Sequence, residues 1–304
     1  MKGQATSETK NQSKAYIYAI AAILCWSTVG SAFKLALREV DFLNLLFYSV
    51  IVSFLIFVIF ISFQKKWKTV FESKAKDLIR SALMGLLNPF LYYFILFQAY
   101  DILLAQEALT LNYLWPVVLV ILSIPILKQK ISVLSFIAIL ISFIGSFVIA
   151  TGGNILSFKF TNSFGVALAL ISTVIWALFW ILNVKDKRDE TIKLFLNFGF
   201  GAVYVIIAML ISGKLELPNF KGAIGVAYVG IFEMGITFFL WLKALSLSKT
   251  TAKVSNLIYI APFISLFIVN LVLGEEIKYS TFVGLFLIIV GILLQQVRRA
   301  NSRI

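Results

Sequence analysis

The second half of this chain repeats features of its first half, and this repetition limits the folds that it can adopt. Segment 127–132 (LKQKIS) recurs as segment 273–278 (LGEEIK), with Pro116 before the first copy and Pro262 before the second. Both pairs have the same offset of 146 residues. Upstream matches pair 85–88 with 230–233 and Trp26 with Trp176. A chain of this kind is expected to fold as two similar units packed together.

Long apolar runs occupy most of the sequence. Hydrophobic residues make up 61% of the 304 residues and charged residues 13%, whereas an average soluble domain is roughly 45–50% apolar. A helix needs about 20 apolar residues to cross ~30 Å of hydrocarbon. Ten runs fit this length: 15–34, 43–63, 79–100, 104–126, 133–151, 164–183, 192–212, 222–245, 252–273 and 279–297. Because their polarity does not alternate, they predict an all-α integral membrane protein rather than a membrane barrel.

The net charge of +13 is distributed unevenly between the predicted loops. If the N-terminus is cytoplasmic, 21 of the 27 Lys and Arg residues fall on the inner side of ten spans. This asymmetry follows the positive-inside rule and predicts that both termini are cytoplasmic, in a cell (inner or plasma) membrane. The basic segment 64–80 is expected to lie against anionic lipid, and no nucleic-acid partner is expected, because no aromatic interleaving or recognition fold accompanies the charge.

Few residues are available for chemistry on a substrate. The chain has no histidine and one cysteine, Cys25, which lies within the first apolar run. It therefore lacks the commonest metal ligand and proton shuttle and cannot form a disulfide within itself. We expect no metal, no cofactor and no enzymatic activity.

Five helices per repeat constrain the mechanism. The repeats are predicted at 15–151 and 164–297, between a cytoplasmic N-terminal segment (1–14) and a cytoplasmic tail (298–304). Since five is odd, the second repeat enters the membrane in the opposite orientation to the first. Two inverted repeats around a central cavity are typical of secondary transporters that work by alternating access.

Several segments also carry a family resemblance. Segment 22–34 (AILCWSTVGSAFK) resembles the first-helix pattern of the EamA-type drug/metabolite transporters, and so do 240–245 (LWLKAL), 250–252, Pro262 and 273–277 in the second half. The resemblance implies a ten-helix fold of two inverted five-helix repeats around a central cavity. It also implies transport of amino acids, metabolites, nucleotide precursors or amphipathic toxins. The chain departs from the family at Lys128-Gln129, where a Gly-Glu pair that caps a helix end is usual, and this departure bears on packing.

Polar groups within the apolar runs are candidates for the substrate site. A charge at the centre of a membrane helix costs on the order of 2.5–3.5 kcal/mol, and Glu233 lies about midway along the eighth run. Thr237 and Trp241 follow at helical spacing and are predicted to share its face. The matching positions of Glu233 and Thr237 in the first repeat are Asn88 and Tyr92. The alternative interpretation makes Glu233 a structural hydrogen-bonding residue between helices.

Further candidates are matched across the repeat. The tryptophans Trp26 and Trp176 line the cavity or serve only in packing, and both roles stay open. The remaining candidates stand at matched polar positions on the fourth and ninth runs or just before a helix-bending proline: Thr110, Asn256 and Tyr259.

A gate is predicted at the outer side. Lys34 ends the first run there, Glu107 opens the fourth, and Lys253 occupies the position that matches Glu107 on the inner side. An ion pair between Lys34 and Glu107 would close the cavity outward. The alternative is that Lys34 simply extends to the lipid headgroups.

These observations predict a secondary transporter, in the exporting direction, for small organic solutes such as amino acids, amines or related metabolites. One buried carboxylate among aromatic faces favours a solute with a cationic amine, while proton coupling through Glu233 stays open. The alternatives are a non-transporting membrane receptor or scaffold and, least favoured, an intramembrane enzyme.

Overall fold

The computed structural model describes residues 11–127, 133–157, 160–184, 186–248, 254 and 256–301, and no strand occurs within these ranges. The α-helices are α1 (Gln12–Leu37), α2 (Phe42–Phe63), α3 (Trp67–Phe71), α4 (Ala75–Gly85), α5 (Tyr92–Ile102), α6 (Ala105–Asn112), α7 (Trp115–Leu127), α8 (Val133–Ala150), α9 (Ser163–Val184), α10 (Glu190–Ser212), α11 (Phe220–Tyr228), α12 (Ile236–Leu247), α13 (Ala261–Leu273) and α14 (Tyr279–Asn301).

Seven helical stretches among the described residues are long and apolar enough to cross a membrane. They are Gln12–Leu37, Phe42–Phe63, Ala75–Ile102, Ala105–Ile126, Ser163–Asn183, Glu190–Ser212 and Phe220–Ala244. Three shorter apolar helices, Phe136–Ala150, Ala261–Leu273 and Tyr279–Leu294, lie in the fifth, ninth and tenth predicted runs. The prediction of an all-helical, multi-pass membrane protein is confirmed.

Short polar residues and glycines set several helix ends. Asp41 and Asp189 accept hydrogen bonds from backbone N–H groups in the first turns of α2 and α10, respectively. Gly213 and Gly274 end α10 and α13 in the left-handed region, at φ 63° and 69°. The expectation that the glycine of the 273–278 motif caps a helix end is thus confirmed.

Two predicted spans are continuous in the sequence but interrupted in the structure. A π-helical segment, Leu86–Leu91, joins α4 to α5, and a second, Val229–Gly235, joins α11 to α12. In the first segment Pro89 has no N–H to donate, and Asn88 leaves helical geometry at φ −148° and ψ 121°. The uniform α-helices predicted over 79–100 and 222–245 are therefore wrong at matched positions, because the backbone widens where Asn88 and Glu233 lie. Such segments occur frequently at functional sites.

The prolines at 116 and 262 also mark breaks. Residues 113–114 form a turn between α6 and α7, and Pro116 lies in the first turn of α7. A 3₁₀ segment, Asn256–Ile260, precedes α13, in which Pro262 again lies in the first turn. Each proline thus begins a new helical segment, where its missing N–H costs little.

Glycines bring α8 and α14 into close antiparallel contact. A Cβ atom on Gly145 would lie 2.6 Å from the carbonyl oxygen of Gly284, and one on Gly291 would lie 2.5 Å from that of Ala138. Residues later in α8 contact residues earlier in α14, so the two helices are antiparallel. Small residues at such interfaces let the backbones approach closely within a membrane.

The other principal contacts join helices from different halves of the chain. α1 packs against α12 and α13, while α9 packs against α5 and α7. α2 and α10 contact each other; α2 also packs against the π segment Val229–Gly235, and α10 against Leu86–Leu91. The two interrupted spans therefore lie at the interface between the halves.

The α8–α14 contact predicts the effect of adding a methyl group. In Gly284→Ala the new Cβ would lie 2.5 Å from the carbonyl oxygen of Gly145, so the helices must separate. We expect a loss of about 1–3 kcal/mol in the free energy of unfolding, seen as a lower thermal midpoint in detergent. Gly30→Ala is the matched control, since its nearest atoms lie at 3.5 Å. Equal midpoints for the two variants would contradict this packing.

Candidate functional site

Glu233 lies in the second π segment and is 6% exposed. Tyr93 donates a hydrogen bond from its hydroxyl to Glu233 Oε1 at 2.9 Å, while Oε2 has no hydrogen-bond partner among the described residues. The indole of Trp26 faces the same carboxyl group. A carboxyl oxygen left without a partner in an apolar bundle is costly. The arrangement therefore encloses one carboxyl oxygen within the bundle without a hydrogen-bond partner among the described residues.

A chain of aromatic rings runs beside this carboxyl group. The ring centroids of Trp26 and Trp241 are 5.3 Å apart, and those of Trp26 and Phe238 are 6.5 Å apart. Phe238 lies 5.8 Å from Trp176, which stacks on Tyr92 at 4.5 Å. The rings come from α1, α12, α9 and α5, so both halves of the chain contribute. Faces of this kind can attract a cation or pack against an apolar ring.

A polar relay continues from Tyr92 away from Glu233. The Tyr92 hydroxyl donates to Asn112 Oδ1 at 3.3 Å, and Asn112 Nδ2 donates to Ser172 Oγ at 2.9 Å. Tyr92 lies next to Tyr93, with ring centroids 4.8 Å apart. These hydrogen bonds join α5, α6 and α9. Tyr92 places one end of the relay next to Tyr93, the hydrogen-bond partner of Glu233.

Two predicted site residues have hydroxyl groups bonded within their own helices. Thr237 bonds to the carbonyl of Phe232, and Thr110 bonds to the carbonyl of Gln106. Thr237 was expected to share a face with Glu233 on the basis of α-helical spacing. Glu233 lies in the π segment and Thr237 in α12, and the shared face stays a prediction.

Asn88, the position that matches Glu233, is fully buried in the first π segment. Neither its side-chain oxygen nor its nitrogen has a hydrogen-bond partner among the described residues. α10 lies against this segment at Gly201, whose added Cβ would lie 2.5 Å from Pro89. The side chains of Asn256 and Tyr259, and all of Lys253, lie outside the described residues.

The predicted ion pair between Lys34 and Glu107 does not form. Glu107 pairs instead with Lys278, whose Nζ lies 2.7 Å from Glu107 Oε1. Lys34 donates to the backbone carbonyl of Asp101 at 3.3 Å. Lys278 takes the place expected for Lys34 because the 273–278 loop lies against the start of α6, which puts Lys278 beside the buried Glu107 carboxylate.

Residues 275–278 hold the start of α6 through several further hydrogen bonds. The carboxylate of Glu275 accepts from the backbone N–H groups of Ala105 and Gln106 at 3.0 and 3.3 Å. The Gln106 side chain donates to the carbonyl of Glu276 and accepts from the N–H of Lys278. A carboxylate at a helix N-terminus satisfies unpaired N–H groups and the helix dipole. We name this set, with Glu107, the Glu107 clasp.

A second charged cluster ties the α9–α10 connection to α4. Arg188 hydrogen-bonds to the Asp186 carboxylate, to Ser81 Oγ at 3.0 Å and to the carbonyl of Asp77 at 3.0 Å. Burial acts to raise the pKa of Asp186. However, the hydrogen bonds and charge of Arg188, together with the charge of Arg80, outweigh it and hold that pKa below its usual value. The carboxylate therefore stays ionised between two guanidinium groups.

Sequence reasoning missed several of these residues. Tyr93 comes five residues after Asn88, and Phe238 comes five residues after Glu233. Two residues with this spacing face the same side of a helix only where the backbone is π-helical. Pro89 was the only signal of such a segment in the first half. Lys278 and Glu275 were visible as part of the repeated motif, but their contact with α6 is a tertiary one.

Within the described residues, no group of three or more His, Cys, Asp or Glu side chains is placed to hold a metal ion.

Comparisons with known proteins agree on the type of chain. A solved structure, titled only "Crystal structure of protein", superposes with a TM-score of 0.66 at 20% identity, covering 95% of this chain and 99% of the other. An uncharacterized transporter of Archaeoglobus fulgidus is 22% identical over 287 residues, which is 93% of this chain and 97% of the relative.

Another uncharacterized transporter, from Clostridium kluyveri, is 26% identical over 176 residues, so this alignment spans only 55% of each chain. The family model described as the EamA-like transporter family matches twice, over residues 13–151 and 163–295. Together these two matches cover nearly all of the sequence, and the chain belongs to the EamA-like transporter family.

Proposed function

We propose that this protein is a secondary transporter that exports small organic solutes bearing an amine, such as amines, amino acids or related metabolites. The observation that carries the proposal is the Glu233 carboxyl group, which is buried within the bundle. One of its oxygens is bonded to Tyr93, and the other has no partner in the part of the chain that the structure describes. Buried ionisable groups in membrane helices mark substrate or ion pathways. Membership of the family supports the same conclusion.

The surroundings of Glu233 favour a cationic group on the solute. Among the described residues, no lysine or arginine forms an ion pair with this carboxyl group. The indole of Trp26 faces it, and the rings of Trp241 and Phe238 lie 5.3 and 6.5 Å from that of Trp26, so aromatic faces are available to a cation. An ammonium group would pair with Glu233 Oε2 while the organic part of the solute packs against the rings.

Alternating access requires two inverted halves, and we propose ten spans in two five-helix repeats, 15–151 and 164–297. The α8–α14 contact supports this arrangement. Adding the sequence offset of 146 residues to Gly145 leads to Gly291, and adding it to Ala138 leads to Gly284. The contacts Gly145–Gly284 and Gly291–Ala138 are therefore exchanged by the repeat. Since these equivalent helices are antiparallel, the halves that contain them would have opposite orientations.

The aromatic pairs beside Glu233 support the same relationship. Trp26 of the first half contacts Phe238 of the second, and its match Trp176 stacks on Tyr92. Phe238 directly follows Thr237, the position that matches Tyr92. A site whose two sides are nearly equivalent can open to either face of the membrane by rocking one half against the other.

In this scheme the Glu107 clasp closes the outer end of the cavity. It joins α6 of the first half to the 275–278 loop of the second through the Lys278–Glu107 ion pair and the Glu275 cap. Opening outward would break these bonds. A substrate whose contacts at Glu233 are stronger in the outward-open state than in the outward-closed state would offset part of the free-energy cost of breaking them.

The central prediction concerns Glu233→Gln, which keeps the size of the side chain and removes its charge and its titratable proton. We expect normal folding and the loss of most net transport in reconstituted vesicles. If Glu233 acts only as a counter-ion, the variant should lose cationic solutes and spare neutral ones. If it carries the coupling proton, pH-driven accumulation should vanish while exchange of substrate continues. Glu72→Gln, on an exposed side chain, is the control, and wild-type transport with unchanged pH dependence would disprove both roles.

The clasp predicts which charges are coupled. Glu107→Gln and Lys278→Gln should each destabilise the protein, and the double variant should be less destabilised than the sum by about 1 kcal/mol. The matched cycle of Glu107→Gln with Lys34→Gln should be additive, because Lys34 bonds to a backbone carbonyl. Thermal unfolding in detergent measures both cycles. Coupling in the Lys34 cycle alone would restore the pair predicted from the sequence.

The proposed topology is open to labelling. In a variant in which Cys25 is replaced by alanine, single cysteines at Ser73 and Asn154 should react with a membrane-impermeant reagent from opposite sides of the membrane. Ser73 lies between α3 and α4, and Asn154 follows α8. Three proposed spans (79–100, 104–126 and 133–151) separate them, and an odd number of spans places them on opposite sides. Reaction of both from one side would rule out the orientation and the inverted repeat together.

A further inference from the structure

One turn along α1 from Trp26, three other helices meet α1 at Gly30. The point where a Cβ atom of Gly30 would stand is 3.5 Å from Ser265 Oγ on α13 and 3.5 Å from the hydroxyl of Tyr100 on α5. Leu109 of α6 lies 3.7 Å from the same point. Two hydroxyl groups from different halves of the chain therefore converge on a position that the absence of a side chain leaves open.

The hydroxyl of Ser265 makes no hydrogen bond to any described residue. Ser265 is 1% exposed, and its Oγ has no hydrogen-bond partner within the described part of the chain. Ser31, the residue after Gly30, is also buried with an unpartnered hydroxyl. Several buried serines of the bundle bond to a carbonyl of their own helix, as Ser27 does to Ile23 at 2.7 Å. Buried hydroxyls that lack such a bond are rare and call for a partner.

Gly30 lies between the Glu233 carboxyl group and the Glu107 clasp, since its neighbour Tyr100 is within electrostatic reach of both Glu233 and Glu275. On α1, Trp26 faces Glu233, Gly30 follows four residues later, and Lys34 follows four residues after that. Four residues of α-helix correspond to about 6 Å along the axis. A solute whose amine lies at Glu233 and whose aromatic or apolar body lies beside Trp26 would bring its far end to Gly30.

We propose that Gly30, Ser265 and Tyr100 form a second subsite that binds an uncharged hydroxyl or carbonyl group at the far end of the amine solute. This inference rests on the proposed function of Glu233. Hydroxyl groups donate and accept hydrogen bonds but offset no charge, so the subsite favours a neutral polar group over a carboxylate. Glycine at position 30 keeps the space between the two hydroxyls free.

Two probes that differ by one hydroxyl test the subsite: phenethylamine and its 4-hydroxyl derivative, tyramine. Binding of each is measured to the full-length protein in detergent by isothermal titration. We expect the wild-type protein to bind tyramine about fivefold more tightly, the contribution of one net hydrogen bond. Ser265→Ala and Gly30→Ala should each abolish this preference and leave the affinity for phenethylamine unchanged.

Ser27→Ala is the matched control, since it removes a buried hydroxyl that is bonded within α1, and it should keep the preference. Glu233→Gln distinguishes a failure of the proposed function from a failure of the subsite alone. If neither amine shows binding that depends on Glu233, the proposed function fails and the subsite fails with it. If phenethylamine binds through Glu233 but the preference for tyramine is absent, or survives Ser265→Ala, the subsite alone is overturned.

Discussion

Close approach of helix backbones at glycine residues holds the two halves of this protein together. Within a membrane, apolar side chains gain little by leaving lipid for one another, so van der Waals packing must stabilise the bundle. Gly145, Gly284 and Gly291 let α8 and α14 meet at their backbones, and Gly230 does the same for α2 and the second π segment. These approaches join helices from the two halves of the chain.

The interrupted spans explain how such a tightly packed bundle accommodates polar groups. Backbone that leaves α-helical geometry is tolerated at membrane depth only where protein or a cavity covers it. The two π segments are covered by α10 and α2, and they carry Asn88 and Glu233 at equivalent positions. One position is neutral and the other is ionisable. In the proposed site between the two halves, the charge would therefore come from one side only.

Much of the fold followed from apolar runs and a repeat. The runs located the helices because twenty apolar residues match the thickness of a bilayer, and the prolines located two breaks because they lack an N–H. The sequence also drew attention to Glu233, since an ionisable group in an apolar run is costly. It did not reveal that the backbone around Glu233 is π-helical, because a uniform period of 3.6 residues was assumed along the whole run.

By itself, the sequence determined properties that depend on local composition: helical class, helix ends at Gly274 and the aspartates, and the excess of basic residues in alternate loops. Tertiary structure alone decided which groups meet. It paired Glu107 with Lys278 instead of Lys34, bonded Tyr93 to Glu233, and brought Ser265 and Tyr100 to Gly30. The reason is physical: an ion pair or hydrogen bond forms over about 3 Å, and residues far apart in sequence reach that distance only through helix packing.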